Sequence, residues 1–518
     1  MTPLPPVSDN KHEMGKRLAS TAKQSGQVFL IKVLMFGAAF VSNFVIARLF
    51  GVAIVGEFAL MLSIVNIAII FSVFGLSTAM VKYIPIARAS GVDGEENHVA
   101  YIALSASLVF ASLCALVLFA LSDVMANQVF HVPELRNLLR IGALGLIPLT
   151  LSKVMGGIYK GARAASAYSM IFEFFDKLLL LVFIATVALL DLRVSFFVAF
   201  AWMFNQLITI TILVVRARRF NLSIREGWRF ARTRPEQNRK HRRKLFSFAS
   251  MMILVAAMSF LLGRVDIIMI GLFLDASEVG VYKITLVIAG LTGFIMASTN
   301  TIFPTFISEL YATGKMEQLR AIYATITKWV IILTAPLVLS MLLYPKPILN
   351  IFGEVYVSGS SVLMILVVGF SIKIIVGSNG FMLNMTGHER VELVNNVTMA
   401  VMNIGLNLVL IPRLGITGAA IATAISGGSI SLIKVVEVKV LMGIMPYDRT
   451  YAPVLLGIAV TATIAWLLRP FVVNAFFVAG VTVLNVAVAI AVGYRFRTAD
   501  DDLVFSRVAS RLGKGRAR

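Results

Sequence analysis

Four basic side chains lie inside stretches of sequence that are otherwise apolar: Lys32, Arg264, Lys283 and Lys373. A lysine or arginine at the centre of a membrane helix costs about 2.5 to 3.5 kcal/mol, so four facing lipid would cost on the order of 10 kcal/mol. That penalty is comparable with the whole stability of a typical protein. We therefore expect these residues to bind substrate in a water-filled cationic cavity, which favours an anionic cargo such as a phosphate or pyrophosphate group.

Each of the four also has a structural interpretation. Lys32 and Lys283 lie within about two turns of a predicted helix end, from which a lysine side chain can extend to the lipid headgroups. Arg264 lies two residues from Asp266, whose charge can compensate it through water or a neighbouring helix, although positions i and i+2 do not share a helix face. Lining a pathway and structural compensation therefore both stay open at these positions.

Asparagines in predicted membrane helices form a weaker second pattern. Asn43 follows Lys32 by eleven residues and Asn384 follows Lys373 by eleven, three helical turns, so each pair shares a face. Asparagines at 396, 403 and 407 form a stripe on another predicted helix. Hydrogen bonds between helices explain such asparagines as well as cargo contact does. The candidate contacts for a glycan or a coupling ion are Asn43, Asp266, Asn384 and Asn403.

No motif of enzyme chemistry accompanies these charges. The sequence contains no CxxC pair, HExxH, Walker loop, nucleophile elbow or paired Cys/His metal spacing. All five histidines fall in predicted connections or tails, and the single cysteine, Cys114, lies in an apolar run. We therefore predict no catalytic residues, no metal site and no cofactor. An ion gradient of unidentified ion can supply the energy, whereas an ATP-driven pump is disfavoured.

The composition indicates a polytopic membrane protein. Hydrophobic residues make up 58% of the 518 residues, against about 45 to 50% in soluble proteins, and the mean hydropathy is +0.88. A bilayer core requires roughly 20 apolar residues per helix, and such runs recur along the chain. Residues 476–492 show none of the alternation expected of barrel strands. The predicted fold class is therefore all-α.

Apolar runs between polar breaks predict fourteen transmembrane helices. The first six are 27–50, 55–80, 99–121, 137–159, 167–190 and 194–215. The next six are 247–273, 278–305, 324–345, 357–386, 391–412 and 415–438, and two more follow at 451–468 and 472–493.

The pattern is duplicated along the chain. Val55-Gly56-Glu57-Phe58 is echoed by Val279-Gly280-Val281-Tyr282, and the two glycines are 224 residues apart, each at the start of a predicted helix. This offset predicts two pseudo-symmetric six-helix bundles. The resulting division is an N-terminal tail 1–26, a first bundle 27–215, a basic linker 216–246, a second bundle 247–440, two additional helices 441–493 and a basic tail 494–518.

The formal net charge of +21 is concentrated in a few connections. Residues 216–244 alone contain twelve lysines and arginines. The positive-inside rule then places the linker and both termini in the cytoplasm, with the linker attracted to anionic membrane lipids. Because this location explains the charge, we predict no nucleic-acid partner.

Several short motifs occur in the order and spacing of a known family. They are Arg48-Leu-Phe-Gly51 with Gly56 and Phe58, Phe74-Gly-Leu-Ser-Thr-Ala79, Val279-Gly-Val-Tyr282, Phe303-Pro304 with Glu309-Leu-Tyr311, and Asn403 through Leu410-Ile-Pro-Arg413 to Gly418-Ala-Ala-Ile-Ala-Thr423. Together, across residues 27 to about 440, the chain resembles the polysaccharide flippase family of the multidrug/oligosaccharidyl-lipid/polysaccharide exporter superfamily.

The resemblance implies two six-helix bundles around a central cavity, two extra C-terminal helices, and alternating access of the cavity to the two sides of the membrane. The implied cargo is an oligosaccharide on an undecaprenyl-type pyrophosphate, carried across the bacterial inner membrane for lipopolysaccharide O-antigen, capsule or exopolysaccharide. A polysaccharide polymerase and glycosyltransferases are the implied protein partners.

Two other hypotheses stay open. A cation-coupled exporter of drugs or metabolites would use Asp266 or Glu173 as its coupling residue, but the predicted first helix contains Lys32 and no acidic residue. A non-transporting scaffold of a polysaccharide assembly complex would tolerate neutralisation of the interior charges.

Overall fold

The computed structural model describes residues 34–162, 164–192, 194–217, 222–300, 303–447, 451–472, 474–498 and 501. In this part of the chain all regular structure is helical. Ten helices there are long and apolar enough to cross a membrane, and two shorter apolar helices, Leu34–Phe50 and Val454–Leu467, accompany them. The predicted class, an all-α multi-pass membrane protein, is thereby confirmed.

The helices of the first half are α1 (Leu34–Phe50), α2 (Val52–Val73), α3 (Leu76–Ala89), α4 (Glu95–Val124), α5 (Leu135–Gly161), α6 (Asp176–Leu189) and α7 (Ser195–Ala217). The linker contains α8 (Ile224–Thr233) and leads into α9 (Pro235–Phe273). The second half continues with α10 (Ala276–Gly290), α11 (Phe303–Ala312), α12 (Met316–Leu343), α13 (Ser360–Ile375), α14 (Glu389–Leu414) and α15 (Ile416–Met442). The chain ends with α16 (Ala452–Leu467) and α17 (Ala475–Arg495).

Helical structure occupies the described part of all fourteen predicted ranges, but some ranges are interrupted. The second breaks at Phe74 and Gly75, whose φ angles of 45° and 71° end α2 in the left-handed region. Gly75 is required there, because a Cβ atom would overlap the carbonyl oxygen of Ala249 on α9. The tenth breaks at Gly377, with φ of 74°. Hydropathy does not report such breaks, because the residues around them remain apolar.

The predicted duplication relates two close contacts at the crossing of α2 and α10, where the two halves meet. A Cβ atom on Gly56 would overlap the carbonyl oxygen of Ala276, and one on Gly280 would overlap that of Val52. The offset of 224 residues relates Val52 to Ala276 as well as Gly56 to Gly280. The offset therefore converts the contact of Gly56 with Ala276 into the contact of Gly280 with Val52. A two-fold axis through the crossing would relate the two contacts in the same way. Glycine lets the two backbones approach this closely.

The core is continuous across the crossing. One cluster of buried apolar residues includes Leu60 and Val65 of α2, Ile270 of α9 and Tyr282 of α10. The halves are therefore packed together at the ends of α2 and α10 that lie away from the linker.

The basic linker is helical and docks on the first half. The Asn97 side chain at the start of α4 donates to Glu226 of α8 at 2.6 Å and accepts from the Ser223 backbone at 3.0 Å. Next to it, the His98 and His241 rings approach to 3.2 Å, and His241 Nε2 lies 2.9 Å from Glu95. His98 was expected in a connection, but α4 begins four residues before the predicted span, at Glu95. We call the side of the molecule that carries α8 the linker face.

The C-terminal helix pair is fastened to the second half by a buried ion pair. Lys328 Nζ of α12 lies 2.6 Å from Asp501 Oδ2, and Trp329 Nε1 donates to Asp501 Oδ1 at 3.0 Å. Burial acts to raise the pKa of the Asp501 carboxyl, but the hydrogen bonds from Lys328, Thr498 and Trp329 outweigh it and hold the pKa below its ordinary value. A depressed pKa contributes stability above the unfolded-state pKa, and this is lost as the pH falls through the folded-state value.

We expect Lys328→Met to destabilise the protein by about 3 to 5 kcal/mol near neutral pH, because it leaves the Asp501 carboxylate buried without its cation. Thermal unfolding in detergent measures the effect. The double variant Lys328→Met with Asp501→Asn removes the stranded charge and should recover much of the loss. Equal stability of the single variant and the unmodified protein would contradict this prediction.

Candidate functional site

A polar cavity of about 390 Å³ lies inside the second half, among α9, α13, α14, α15 and the short helix Asn379–Met385. All of its lining residues come from the second half. Its charged and amide lining side chains include Asp266, Lys373, Asn384, Glu392, Asn403 and Lys434. We call this space the polar cavity.

The polar cavity brings together four of the eight predicted site residues. Asp266, Lys373, Asn384 and Asn403 come from four separate elements and share this one lining. Lys373 and Asn384 are exposed to its interior rather than packed away. The spacing of Lys373 and Asn384 predicted a shared helix face. Both residues line the polar cavity, although the helix breaks between them at Gly377.

The other predicted residues are placed differently. Lys283, on α10, is half-buried and does not belong to the lining of the polar cavity. Asn43 donates to the Ala39 carbonyl of its own helix at 2.7 Å, so this hydrogen bond is local. Lys32 and the side chain of Arg264 lie outside the described residues.

Asp266 joins three helices at one end of the cavity. Its carboxylate accepts from Asn407 at 2.8 Å, from Tyr282 at 3.0 Å and from Thr423 at 2.5 Å, on α14, α10 and α15 respectively. Burying a carboxylate requires donors of this kind. Asp266 is therefore held in place by neutral donors from neighbouring helices, an arrangement that its closeness to Arg264 in sequence did not indicate.

The asparagine stripe joins two helices, and one of its members also lines the polar cavity. Asn407 donates to Asn403 at 3.0 Å, and Asn403 donates in turn towards Thr423 at 3.3 Å and Ser426 at 3.4 Å. These bonds join α14 to α15. Because Asn403 also lines the polar cavity, helix association and cavity lining are combined in one residue.

Lys434 and Glu392 are functional candidates that the sequence reasoning missed. Lys434 Nζ lies 2.7 Å from Glu392 Oε1 and donates to Asn396 Oδ1 at 3.0 Å, while Glu392 Oε2 is buried with no hydrogen-bond partner in the described part of the chain. Lys434 falls inside the predicted twelfth span. The criterion that singled out the other four cations, a basic residue inside an apolar span, would therefore have identified it as well. Glu392 falls one residue inside a predicted helix end and resembles a surface residue in the sequence.

The polar cavity is charge-balanced, whereas the cationic cavity between the halves stays a prediction. Among its described lining residues, Lys373 and Lys434 are balanced by Asp266 and Glu392. Lys434 is paired with Glu392, whereas Lys373 forms no ion pair with the described residues. The prediction counted cations along the chain, but packing also brought acidic side chains from other helices to the same place. Lys373 is therefore the lining cation without an ion-pair partner among the described residues.

The first half contains a closed polar cluster instead. The buried Asp176 accepts from Asn205 at 2.8 Å and from Gln206 and Thr209 at 3.2 Å each, and Lys177 lies 2.8 Å away. Glu173, predicted as a possible coupling residue, has one buried carboxylate oxygen with no hydrogen-bond partner in the described residues. It lies in a π-helix, Ser169–Phe175. Because a π-helix has a wider turn than an α-helix, the residues that share a face in this segment differ from those that α-helical spacing predicts.

Two family models match the sequence. The polysaccharide biosynthesis protein family matches residues 22–309, more than half of the chain, and the MatE family matches residues 251–409. A protein of Haloferax volcanii named "Probable low-salt glycan biosynthesis flippase Agl15" is 30% identical over 192 residues, which is 36% of this chain. The match spans 40% of that relative's length.

Solved membrane transporters have the same fold. The lipid II flippase MurJ in an inward closed conformation superposes with a TM-score of 0.69 at 12% identity, covering 90% of this chain and 98% of that one. An inward-facing multidrug resistance transporter of the MATE family superposes with a TM-score of 0.64 at 15% identity, covering 79% and 94%.

Proposed function

The chain belongs to the polysaccharide biosynthesis protein family, and on that premise we propose that this transporter flips lipid-linked oligosaccharides across the membrane. The family is one of transporters rather than enzymes. The proposed cargo is an oligosaccharide unit on a polyprenyl pyrophosphate of the undecaprenyl type, for O-antigen, capsule or exopolysaccharide synthesis. The name of the Haloferax volcanii relative, a glycan biosynthesis flippase, supports this class of cargo.

The observation that carries the proposal is the position of Lys373 in the polar cavity. Its ammonium group has no ion-pair partner among the described residues and faces a space lined by the amides of Asn384 and Asn403. An ammonium group binds a phosphate oxygen, and amides can donate to and accept from sugar hydroxyls. A volume of about 390 Å³ lies in the range of small-molecule sites. The cavity therefore suits a polar headgroup whose lipid chain stays in the bilayer.

The proposed transport cycle exposes this cavity to the two faces in turn. Contact between Gly56 and Gly280 closes the face opposite the linker, and separation of α2 from α10 would open it. We propose fourteen spans with the linker and both termini in the cytoplasm, because the twelve basic residues of 216–244 then lie inside. The proposed location is the bacterial cytoplasmic membrane, with a polymerase and glycosyltransferases as partners and an ion gradient as a possible driving force.

The test is translocation by the purified protein in liposomes. A fluorescent polyprenyl-pyrophosphoryl oligosaccharide is incorporated in both leaflets, and an impermeant reductant then quenches the outer leaflet. We expect the quenched fraction to rise from about half towards completion only in vesicles that contain the protein. A matched phospholipid probe with the same fluorophore should remain half protected.

Two results would contradict the proposal. Proton-dependent efflux of a cationic dye without movement of the glycan lipid would favour a cation-coupled exporter. Movement of neither, from protein that restores polymer synthesis in cells, would favour a scaffold. The structure of the Asp266 site gives no support to the hypothesis of a cation-coupled exporter, because both carboxylate oxygens already accept hydrogen bonds from neighbouring helices.

A further inference from the structure

A second site-like feature lies apart from the polar cavity, in a cleft of about 920 Å³ on the linker face. Its walls are α3 of the first half and the first turns of α9, which lead into the second half. Five basic residues line it, and Glu236 is the one acidic residue in the described lining. The basic residues are Lys82, Arg239, Lys240, Arg243 and Lys244. We call this space the basic cleft.

The basic residues of α9 are spaced so that like charges face each other. Arg239 and Arg243 are four residues apart, as are Lys240 and Lys244, and residues at this spacing are neighbours on a helix surface. Like charges at i and i+4 destabilise a helix. The described residues supply no ion pair to these side chains, all of which are exposed. An anion in the cleft would relieve this repulsion.

One end of the cleft is apolar, which indicates an amphiphile rather than a free anion. Tyr83, Phe248 and Met251 continue the cleft towards the predicted membrane span of α9, and Met251 is 59% exposed. The Lys82 ammonium lies 4.5 Å from the centre of the Phe248 ring, so a cation is held at the boundary between the charged and the apolar ends of the cleft. A phosphate group at the charged end, with a hydrocarbon chain along these apolar residues, would satisfy both ends.

The basic cleft also spans the boundary between the halves. Lys82 lies on α3 of the first half, whereas Arg239 and Arg243 lie on α9, which continues into the second half. The two walls touch where Gly75 meets Ala249 and where the Tyr83 hydroxyl lies 3.5 Å from the Lys244 carbonyl. A ligand held from both walls would therefore favour the arrangement in which α3 and α9 are in contact.

We propose that the basic cleft binds the phosphate-bearing headgroup of a membrane lipid and thereby stabilises the packing of α3 against α9. This site goes beyond the proposed transport of glycan lipids, because it lies outside the polar cavity and does not depend on the cargo. The phosphate comes either from an anionic phospholipid of the bilayer or from a polyprenyl phosphate carrier. Both present the same chemistry to the cleft.

The experiment measures lipid binding to the purified full-length protein by native mass spectrometry. The probes are phosphatidylglycerol, phosphatidylcholine, a polyprenyl phosphate and inorganic phosphate. The cleft variant is Arg239→Gln with Arg243→Gln. The matched control is Arg225→Gln with Arg229→Gln, which removes the same charge at the same spacing from exposed positions of α8 outside the cleft.

We expect the cleft variant to bind phosphatidylglycerol, polyprenyl phosphate or both about tenfold or more weakly, because two charge-assisted hydrogen bonds are lost. The control should bind as the unmodified protein does, and Arg239→Lys with Arg243→Lys should retain most of the affinity. A selective loss of phosphatidylglycerol assigns the site to bulk lipid, and a selective loss of polyprenyl phosphate assigns it to the carrier.

Three outcomes would overturn the proposal. Equal losses in the cleft variant and the control would show diffuse attraction between a basic linker and anionic lipid. Unchanged binding in the cleft variant would place the lipid elsewhere. Inorganic phosphate binding as tightly as the lipids would show that the apolar end of the cleft contributes nothing to binding.

Discussion

Replacing Gly56 by alanine is expected to reduce transport severely and to leave the face opposite the linker open. The new Cβ atom would overlap the carbonyl oxygen of Ala276, and backbone atoms cannot move aside as the end of a side chain can. Overpacking of this kind costs about 1 to 3 kcal/mol, which corresponds to a shift of about 5- to 150-fold in the balance between closed and open arrangements. Because the contact is symmetric, Gly280→Ala should have the same effect.

Two measurements test this prediction. The first is the rate of glycan-lipid translocation in liposomes. The second is the labelling rate, by an impermeant maleimide, of a cysteine introduced as Ala59→Cys in a chain whose single natural cysteine is replaced by Cys114→Ala. Ala59 is buried one turn from Gly56. We expect faster labelling in the Gly56→Ala background.

Gly290→Ala is the matched control for both glycines. It adds the same methyl group at the end of α10, where nothing lies within 4 Å of the new atom. Transport and labelling should stay close to those of the unmodified protein. If Gly56→Ala and Gly290→Ala behaved alike, closure at the α2–α10 crossing would not be part of the cycle.

Removing the charge of Lys373 is expected to weaken cargo binding by about 10- to 150-fold, the loss of one hydrogen bond from a charged donor to a phosphate oxygen. Lys373→Gln removes the charge, keeps a polar end and shortens the side chain by one atom. Because Lys373 forms no ion pair with the described residues, its removal leaves no carboxylate stranded there. The variant should therefore fold normally and fail in transport, and Lys373→Arg should recover part of the activity.

The control for Lys373 is Lys439→Gln, which removes a lysine from an exposed position of α15 outside the polar cavity. Binding of a water-soluble pyrophosphoryl-oligosaccharide, followed by calorimetry, separates affinity from transport rate. Equal affinities for the Lys373→Gln and Lys439→Gln variants would remove Lys373 from the binding site. Lys434→Gln provides a contrast, because it leaves Glu392 without its partner and should lower stability as well as transport.

The basic cleft and the polar cavity place cationic residues in two different environments. Interior cations are few and partly neutralised, as Lys434 is by Glu392. The unneutralised cluster is on the linker face, where water and headgroups can solvate it. This division follows from the cost of a charge in hydrocarbon, which falls steeply towards the interface.

The sequence by itself determined the class of protein and, in the described residues, the positions of the helices, whereas the duplication stays a prediction. An apolar run long enough to span a bilayer has few alternatives to a helix, since every backbone polar group must be satisfied within the segment. The echo of Gly56 in Gly280 predicts equivalent points of the two halves, and each glycine meets the backbone of the opposite helix at the α2–α10 crossing. These features depend on residues close together in sequence or on a direct comparison of two short segments.

Only the tertiary structure decided which charges meet. Lys434 and Glu392 lie 42 residues apart in the chain, and their 2.7 Å contact depends on the rotation and register of α14 against α15. Helical phase shows which residues share a face, but not which neighbour that face contacts. For the same reason, the cations counted along the chain did not reveal that the acidic side chains of Asp266 and Glu392 join Lys373 and Lys434 in the lining of the polar cavity.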